Sequence, residues 1–196
     1  MKTHKSRRAN GFTLVELLVV IVIIAVLASV ASPMAMEAIK KTKRTTSLAV
    51  ATSIVSAVNT FYTEYGSMPQ KDLAEDVTLN TIIDRDFLDT LLGTENSAMS
   101  PLNTRAIKFL TVKEGKAKKD GLCFIPSTTT VTGLFDPWGG PYFVRLDGNY
   151  DEEIEVKPAA TSSPTKLHGR RVAVWSNGED GVKGKRGKII DDVKTW

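Results

Sequence analysis

Residues 12–36 form an apolar run interrupted by one charge, Glu16. As a helix, these 25 residues would extend roughly 37 Å, enough to cross a bilayer. A carboxylate near the middle of such a helix costs about 2.5–3.5 kcal/mol on insertion scales, so one that is kept there has a partner or a task. Residues 17–28 are apolar on every face, as in a helix buried in lipid or in a bundle. The leader before the run carries Lys2, Lys5, Arg7 and Arg8, which places it on the cytoplasmic side of a single span by the positive-inside tendency.

The order Gly11-Phe12-Thr13-Leu14-Val15-Glu16-Leu17-Leu18 resembles the type III signal sequence of type IV pilins and type II secretion pseudopilins. In that family a membrane-embedded aspartyl peptidase cuts after the glycine, and the new amino terminus is N-methylated. The resemblance implies cleavage between Gly11 and Phe12, methylation of Phe12, and a pairing of Glu16 with the terminal amine of a neighbouring subunit. The physics agrees with that last role, because an ammonium and a carboxylate are each costly alone beside apolar surface. Two other readings compete. A secretory signal peptide would be cut near Ser29-Val30-Ala31, but an acidic residue inside the apolar core and an apolar run that outlasts the small residues speak against it. A plain membrane anchor is satisfied by length alone and leaves the order of glycine, phenylalanine and glutamate unaccounted for.

Charge lends no support to one class of function. The chain has 26 Lys+Arg against 22 Asp+Glu, and the leader accounts for the surplus. The processed chain is therefore balanced and gives no electrostatic support for nucleic-acid binding. A second cluster, Lys40, Lys41, Lys43 and Arg44, reads as a solvated helix face or a headgroup contact. The single cysteine, Cys123, allows no intrachain disulfide and reads as a buried thiol.

Pro33 removes a helical hydrogen bond and predicts a kink or local melting. It stands where many pilins have a proline, and the resemblance implies that the helix loosens there when the subunit enters a filament. Beyond Lys43 an amphipathic stripe of Leu48, Ala51, Val55, Val58, Tyr62 and Tyr65, widened by Ile54 and Phe61, continues the helix to about Tyr65. Gly66 and Pro69 end it, in a stretch similar to the helix end of secretion pseudopilins. A short helix around residues 82–92 closed by Gly93 follows, then strands at 106–112 and 121–125. Residues 127–132 are a threonine-rich loop or edge strand.

Asp136-Pro137-Trp138-Gly139-Gly140-Pro141-Tyr142 imposes a rigid turn with Trp138 as an anchor and resembles a signature of major pseudopilins. A strand at 142–146, a hairpin-type turn at Asp147-Gly148 leading to 153–156, a polar insert at 157–170 and a strand at 171–175 complete the expected sheet. The predicted fold class is α+β and pilin-like: a long N-terminal helix on a small antiparallel sheet. Its parts are a cleaved leader (1–11), a membrane or filament-core helix (12–36), an amphipathic continuation (37–69), a variable segment (70–132) and a C-terminal sheet with a loop (133–196). The resemblance covers 5–69 and 136–196.

Ser176-Asn177-Gly178-Glu179-Asp180-Gly181 with Asp191-Asp192 is the candidate metal site, since hydroxyl, carboxylate and backbone oxygens are the hard ligands calcium takes. The segment is similar to the calcium loop of major pseudopilins, which implies Ser176, Asp180 and Asp191 or Asp192 as ligands of a structural Ca²⁺. Against this stand Lys183, Lys185, Arg186 and Lys188 in the same loop, and a solvated turn is the alternative. Asp147, Asn149, Asp151 and Glu153 echo an EF-hand start, but Glu152 stands where the loop needs glycine and Pro158 where it needs glutamate. Catalysis has no constellation: His4 lies in the leader, His168 is isolated, and Cys123 has no evident base.

The resemblance implies a structural pseudopilin of type II secretion, held in the inner membrane with a periplasmic head. Its partners would be its own copies, the prepilin peptidase and methyltransferase, other pseudopilins and inner-membrane secretion components. A type IV pilin for adhesion, motility or DNA uptake is the first alternative, and a membrane-anchored or secreted binding domain is the second.

Overall fold

The computed structural model describes residues 12–95, 100–157, 163–183, 185–186, 189–190 and 192–196. The chain divides into two compact units, Met1–Thr42 and Lys43–Trp196. Helix α1, Leu14–Tyr65, runs through Pro33 as continuous helix, without the expected local melting. In the first unit its described apolar side chains are exposed, with Leu14 80 % and Leu27 64 % accessible.

In the second unit, α1 is followed by β1 (Val77–Asn80), α2 (Arg85–Leu92), β2 (Gly121–Phe124), β3 (Val131–Phe135), β4 (Tyr142–Leu146), β5 (Glu153–Val156), β6 (Thr165–His168), β7 (Val172–Ser176), β8 (Lys185–Arg186), β9 (Ile189–Ile190) and β10 (Val193–Lys194). The main sheet has the order β1-β4-β7-β10, and every neighbouring pair is antiparallel. Hairpins β2-β3, β5-β6 and β8-β9 form separate two-stranded sheets. This is an α+β, pilin-like arrangement of one long N-terminal helix followed by small antiparallel sheets.

Two-residue alternation on β4 sends Tyr142, Val144 and Leu146 into the core and leaves Phe143 and Arg145 half-buried. They share the core with Val172 and Val174 of β7, with Phe87, Leu88 and Leu91 of α2, and with Ile54, Val58 and Phe61 of α1. Each large apolar side chain so buried contributes about 1.5–3 kcal/mol. The helix stripe differs from the predicted one. Ser47, Val50, Ala51, Ile54, Ala57, Val58 and Phe61 are the buried face, Val55, Tyr62 and Tyr65 flank it, and Leu48 is exposed. Small residues on the buried face let α1 approach its neighbours closely, a choice that hydropathy alone does not reveal.

Both predicted helix ends hold. Gly66 takes φ 69° and donates its N–H to Tyr62 O at 2.8 Å. Gly93 takes φ 72°, with its N–H and that of Thr94 donating to Thr90 O and Asp89 O.

Two expected elements are different. Residues 106–112 carry no strand; instead the N–H groups of Phe109 and Leu110 both donate to Leu91 O, and Leu110 is buried. The segment is anchored by Asn103, whose amide donates to Thr90 O and Ile107 O while its oxygen accepts from Ile107 N–H and the Tyr65 hydroxyl. Asp147-Gly148 does not close a hairpin. Both edges of β4 are taken by β1 and β7, so β5 has nowhere to pair there and joins β6 inside the expected insert. The buried Asp147 carboxylate gathers the N–H groups of Asp151 and Glu152, and burial pushes its acidity below that of an ordinary aspartate by raising its pKa. Gly148 is there for space: a Cβ would fall 1.9 Å from Glu75 O.

Candidate functional site

Two sequence-predicted sites lie at opposite ends of the chain. At the N-terminal one, Gly11 lies outside the described residues. Phe12 is exposed, and Thr13 immediately precedes the first helical residue. Thr13 donates its N–H and its hydroxyl to Glu16 Oε2 at 2.8 and 2.7 Å, and its Oγ1 accepts the Glu16 N–H at 3.2 Å. This reciprocal pattern is a capping box, in which Thr13 and Glu16 satisfy each other's orphan groups at the helix start. A carboxylate in the first turn also lies at the favourable end of the helix dipole. The motif Thr-x-x-Glu before an apolar run was the available signal for Thr13, and sequence reading directed at Glu16 alone missed it.

The cap has a chemical consequence. Glu16 is held in one geometry, one turn from the Phe12 nitrogen that cleavage would free. Its carboxylate has oxygen lone pairs left for a further donor. Among residues 12–36 it is the one acidic group, so an ammonium entering this surface meets a single complementary charge. Pro33 lies within the same helix.

At the C-terminal site the structure separates the proposed ligands. Ser176, buried at the end of β7, donates its hydroxyl to Asp136 Oδ2 and accepts the Gly178 N–H at 3.1 Å. Asp136 is itself buried, and its Oδ1 accepts the N–H groups of Trp138, Gly139 and Gly140 at 2.9, 2.8 and 2.8 Å. The Asp-Pro-Trp-Gly-Gly turn thus folds around its own carboxylate, and Ser176 ties that turn to the main sheet. Sequence reading saw the turn but not Asp136 as its centre. Trp138 is half-exposed, and the buried anchor of the segment is Tyr142.

Asp180 turns back locally, accepting the Val182 N–H at 2.7 Å. Asp191 lies outside the described residues. The buried Asp192 carboxylate meets Lys194 Nζ at 3.4 Å, and its backbone oxygen accepts from the Arg44 guanidinium at 3.3 Å. Lys183 Nζ sits 3.9 Å from the centre of the Trp175 ring, which stacks on Phe143 and meets Trp196 edge-on. Burial, with the Lys194 charge nearby, pulls the Lys183 ammonium below the usual lysine range. Among the described residues no three Asp, Glu, His or Cys side chains converge as a metal set. The Ser176 hydroxyl is committed to Asp136, and the buried Asp192 carboxylate meets the Lys194 ammonium.

Elsewhere, Asn149 and Asp151 bond to each other and to the 147–153 backbone, closing a turn. Exposed His168 pairs with Glu153 at 2.9 Å, and Cys123 is buried with a free thiol.

The family model of the prokaryotic N-terminal methylation motif matches residues 6–32. No curated protein and no solved structure matches the chain. The chain carries a type IV pilin-like prepilin signal, of the kind prepilin peptidase processes and pilus-type assembly uses. α1 is long and apolar enough to cross a membrane, and with the motif it marks the N-terminal segment as a membrane anchor.

Proposed function

We propose that this chain is a structural pseudopilin subunit of a type II secretion system and not an enzyme. Cleavage after Gly11 and methylation of Phe12 produce the mature subunit, which waits in the inner membrane with residues 43–196 in the periplasm. Assembly bundles the apolar helices into the core of a short filament, and Glu16 sets the stagger by pairing with the Phe12 amine of a neighbour. Its partners are copies of itself, other pseudopilins and the inner-membrane secretion components.

The observation that carries this reading is an apolar helix surface, exposed over residues 14–29 and 34–39, whose first turn presents one oriented carboxylate. Lipid or other helices must cover that surface, and the freed Phe12 amine of a neighbouring subunit is the ammonium that pairs with Glu16. The turn centred on Asp136 and the aromatic contact between Trp175 and Trp196 favour secretion over a pilus. A type IV pilin is the second reading, and the unpaired, buried Cys123 weighs against it because a paired-cysteine C-terminal loop is common in pilins.

Overproduction together with a matching secretion machinery tests the proposal. We expect periplasmic or surface filaments, visible by electron microscopy, that contain this chain. A chain found only as membrane-bound monomers under those conditions would leave a merely anchored binding domain.

A further inference from the structure

We propose that successive copies of this chain meet head to head through opposite charge, the lysine-rich hairpin of one copy docking on the acidic end of the next, a contact that rests on the filament role. Residues 105–120 hold six cations and two acids in a processed chain whose charges balance. Lys116, Lys118 and Lys119 are exposed and make no ion pair among the described residues. Reciprocal backbone bonds between Lys116 and Lys119, each 3.1 Å, close the hairpin across Ala117 and Lys118, which take φ 52° and 57°. Tight hairpin turns of this kind favour Asn-Gly, because other side chains resist positive φ. Strained backbone kept at an exposed tip points to a use for the residues it presents.

The hairpin leans on the turn that leads into β4: Asp120 donates its N–H to Asp136 O at 2.8 Å, and a Cβ on Gly139 would lie 3.3 Å from Lys118 O. Acids gather at the other end of that strand. Val77 of β1 stands opposite Leu146, the last residue of β4, and the chain before it meets Gly148, whose N–H donates to Asp76 Oδ1 at 3.3 Å. Residues 72–76 and 147–153 bring seven acids and no cation to this end. Arg145, Arg171 and Lys166 pair with Asp76, Glu152 and Glu153, and Asp147 is buried. Asp72 and Glu75, with Lys71 as the adjoining cation, stay exposed and make no ion pair among the described residues. The five residues of β4 alone span roughly 13 Å, longer than the screening length of about 8 Å at physiological salt. The two ends therefore do not neutralise each other within one head. A surface and its complement at opposite ends of one molecule make a heterologous contact that propagates as an open chain, and the complementary charge fixes its register.

The test uses the full chain produced with its secretion machinery, and reads filament mass in the sheared fraction. Lys116→Glu with Lys118→Glu, and separately Asp72→Asn with Glu75→Lys, should each lower that mass about tenfold or more, and all four together should restore it to within about twofold, because reversing both sides rebuilds the complement. The four positions are exposed, so circular dichroism of the heads should not change. In filaments of the unaltered chain, a carbodiimide, which condenses an ammonium with a neighbouring carboxylate, should join Lys116 or Lys118 of one copy to Asp72 or Glu75 of another, read by peptide mass spectrometry. Lysine-pair variants that assemble like the unaltered chain, a fourfold variant as poor as either pair, or intact filaments without these cross-links overturn the contact and leave the filament role standing. Loss with the lysine pair but normal assembly with the acid pair assigns the hairpin to a different acidic partner and overturns it as well. No filaments from the unaltered chain would overturn both the contact and the filament role.

Discussion

Glu16→Val is expected to leave a chain that is still cleaved and membrane-inserted but does not form filaments. Removing one member of an ion pair in an apolar setting costs about 3–5 kcal/mol, which lowers each subunit's association roughly 10²–10⁴-fold. Glu16→Gln separates the two roles of this side chain. Glutamine also serves at the third position of a capping box, so the bonds to Thr13 and the helix start are retained. Only the negative charge is lost. We therefore expect Glu16→Gln to keep the helix and still fail to assemble, scored by filaments in the sheared fraction. Assembly of this variant at the level of the unaltered chain would show that charge pairing is not what Glu16 supplies.

The second large effect is on stability. Asp136→Ala removes one acceptor from three backbone N–H groups and another from the Ser176 hydroxyl, in a buried site. Orphaned buried donors cost about 1–3 kcal/mol each, and because neighbouring losses are not additive the sum comes to about 3–5 kcal/mol. For a chain of this size Tm should fall by about 10 °C or more. Asp136→Asn keeps an oxygen for the turn and lets the Ser176 hydroxyl reverse to accept from the amide, so it should cost about 1–2 kcal/mol. Chemical denaturation measures both. An Asp136→Ala midpoint equal to that of the unaltered chain would mean that the turn is held by its prolines alone.

Local chemistry made part of this fold legible. Gly66 and Gly93 end helices because each adopts a left-handed conformation that other residues resist. The alternation of Tyr142, Val144 and Leu146 revealed the core face of β4 because the strand period is two. What depended on neighbours was not legible. Ala51, Ile54, Val58 and Phe61 were legible in the helical period, but whether the buried face widens towards residues 48 and 55 or towards 47, 50 and 57 is decided by the packed partner. Asp147-Gly148 has the composition of a hairpin turn, but β4 had already spent both edges. Residues 106–112 are apolar enough for a strand, but Phe109 and Leu110 give their N–H groups to Leu91 O instead.

The two sites divide in the same way. Phe12, Thr13 and Glu16 are close in sequence, so their chemistry is visible from spacing, although the cap at Thr13 was overlooked. At the C-terminal end, Ser176 and Asp136 are 40 residues apart, and Lys194 pairs with Asp192 only through the conformation at β10. Ligand-like residue types suggested a cation there. The direction of the Ser176 hydroxyl and the placement of two ammonium groups come from the tertiary fold.

The mass and sequence of the amino-terminal peptide in membrane-extracted protein test the central claim most directly. The account predicts a chain beginning at Phe12 and carrying one methyl group on its amine. An intact Met1, or a start at Ser32 after signal-peptide cleavage, would contradict it.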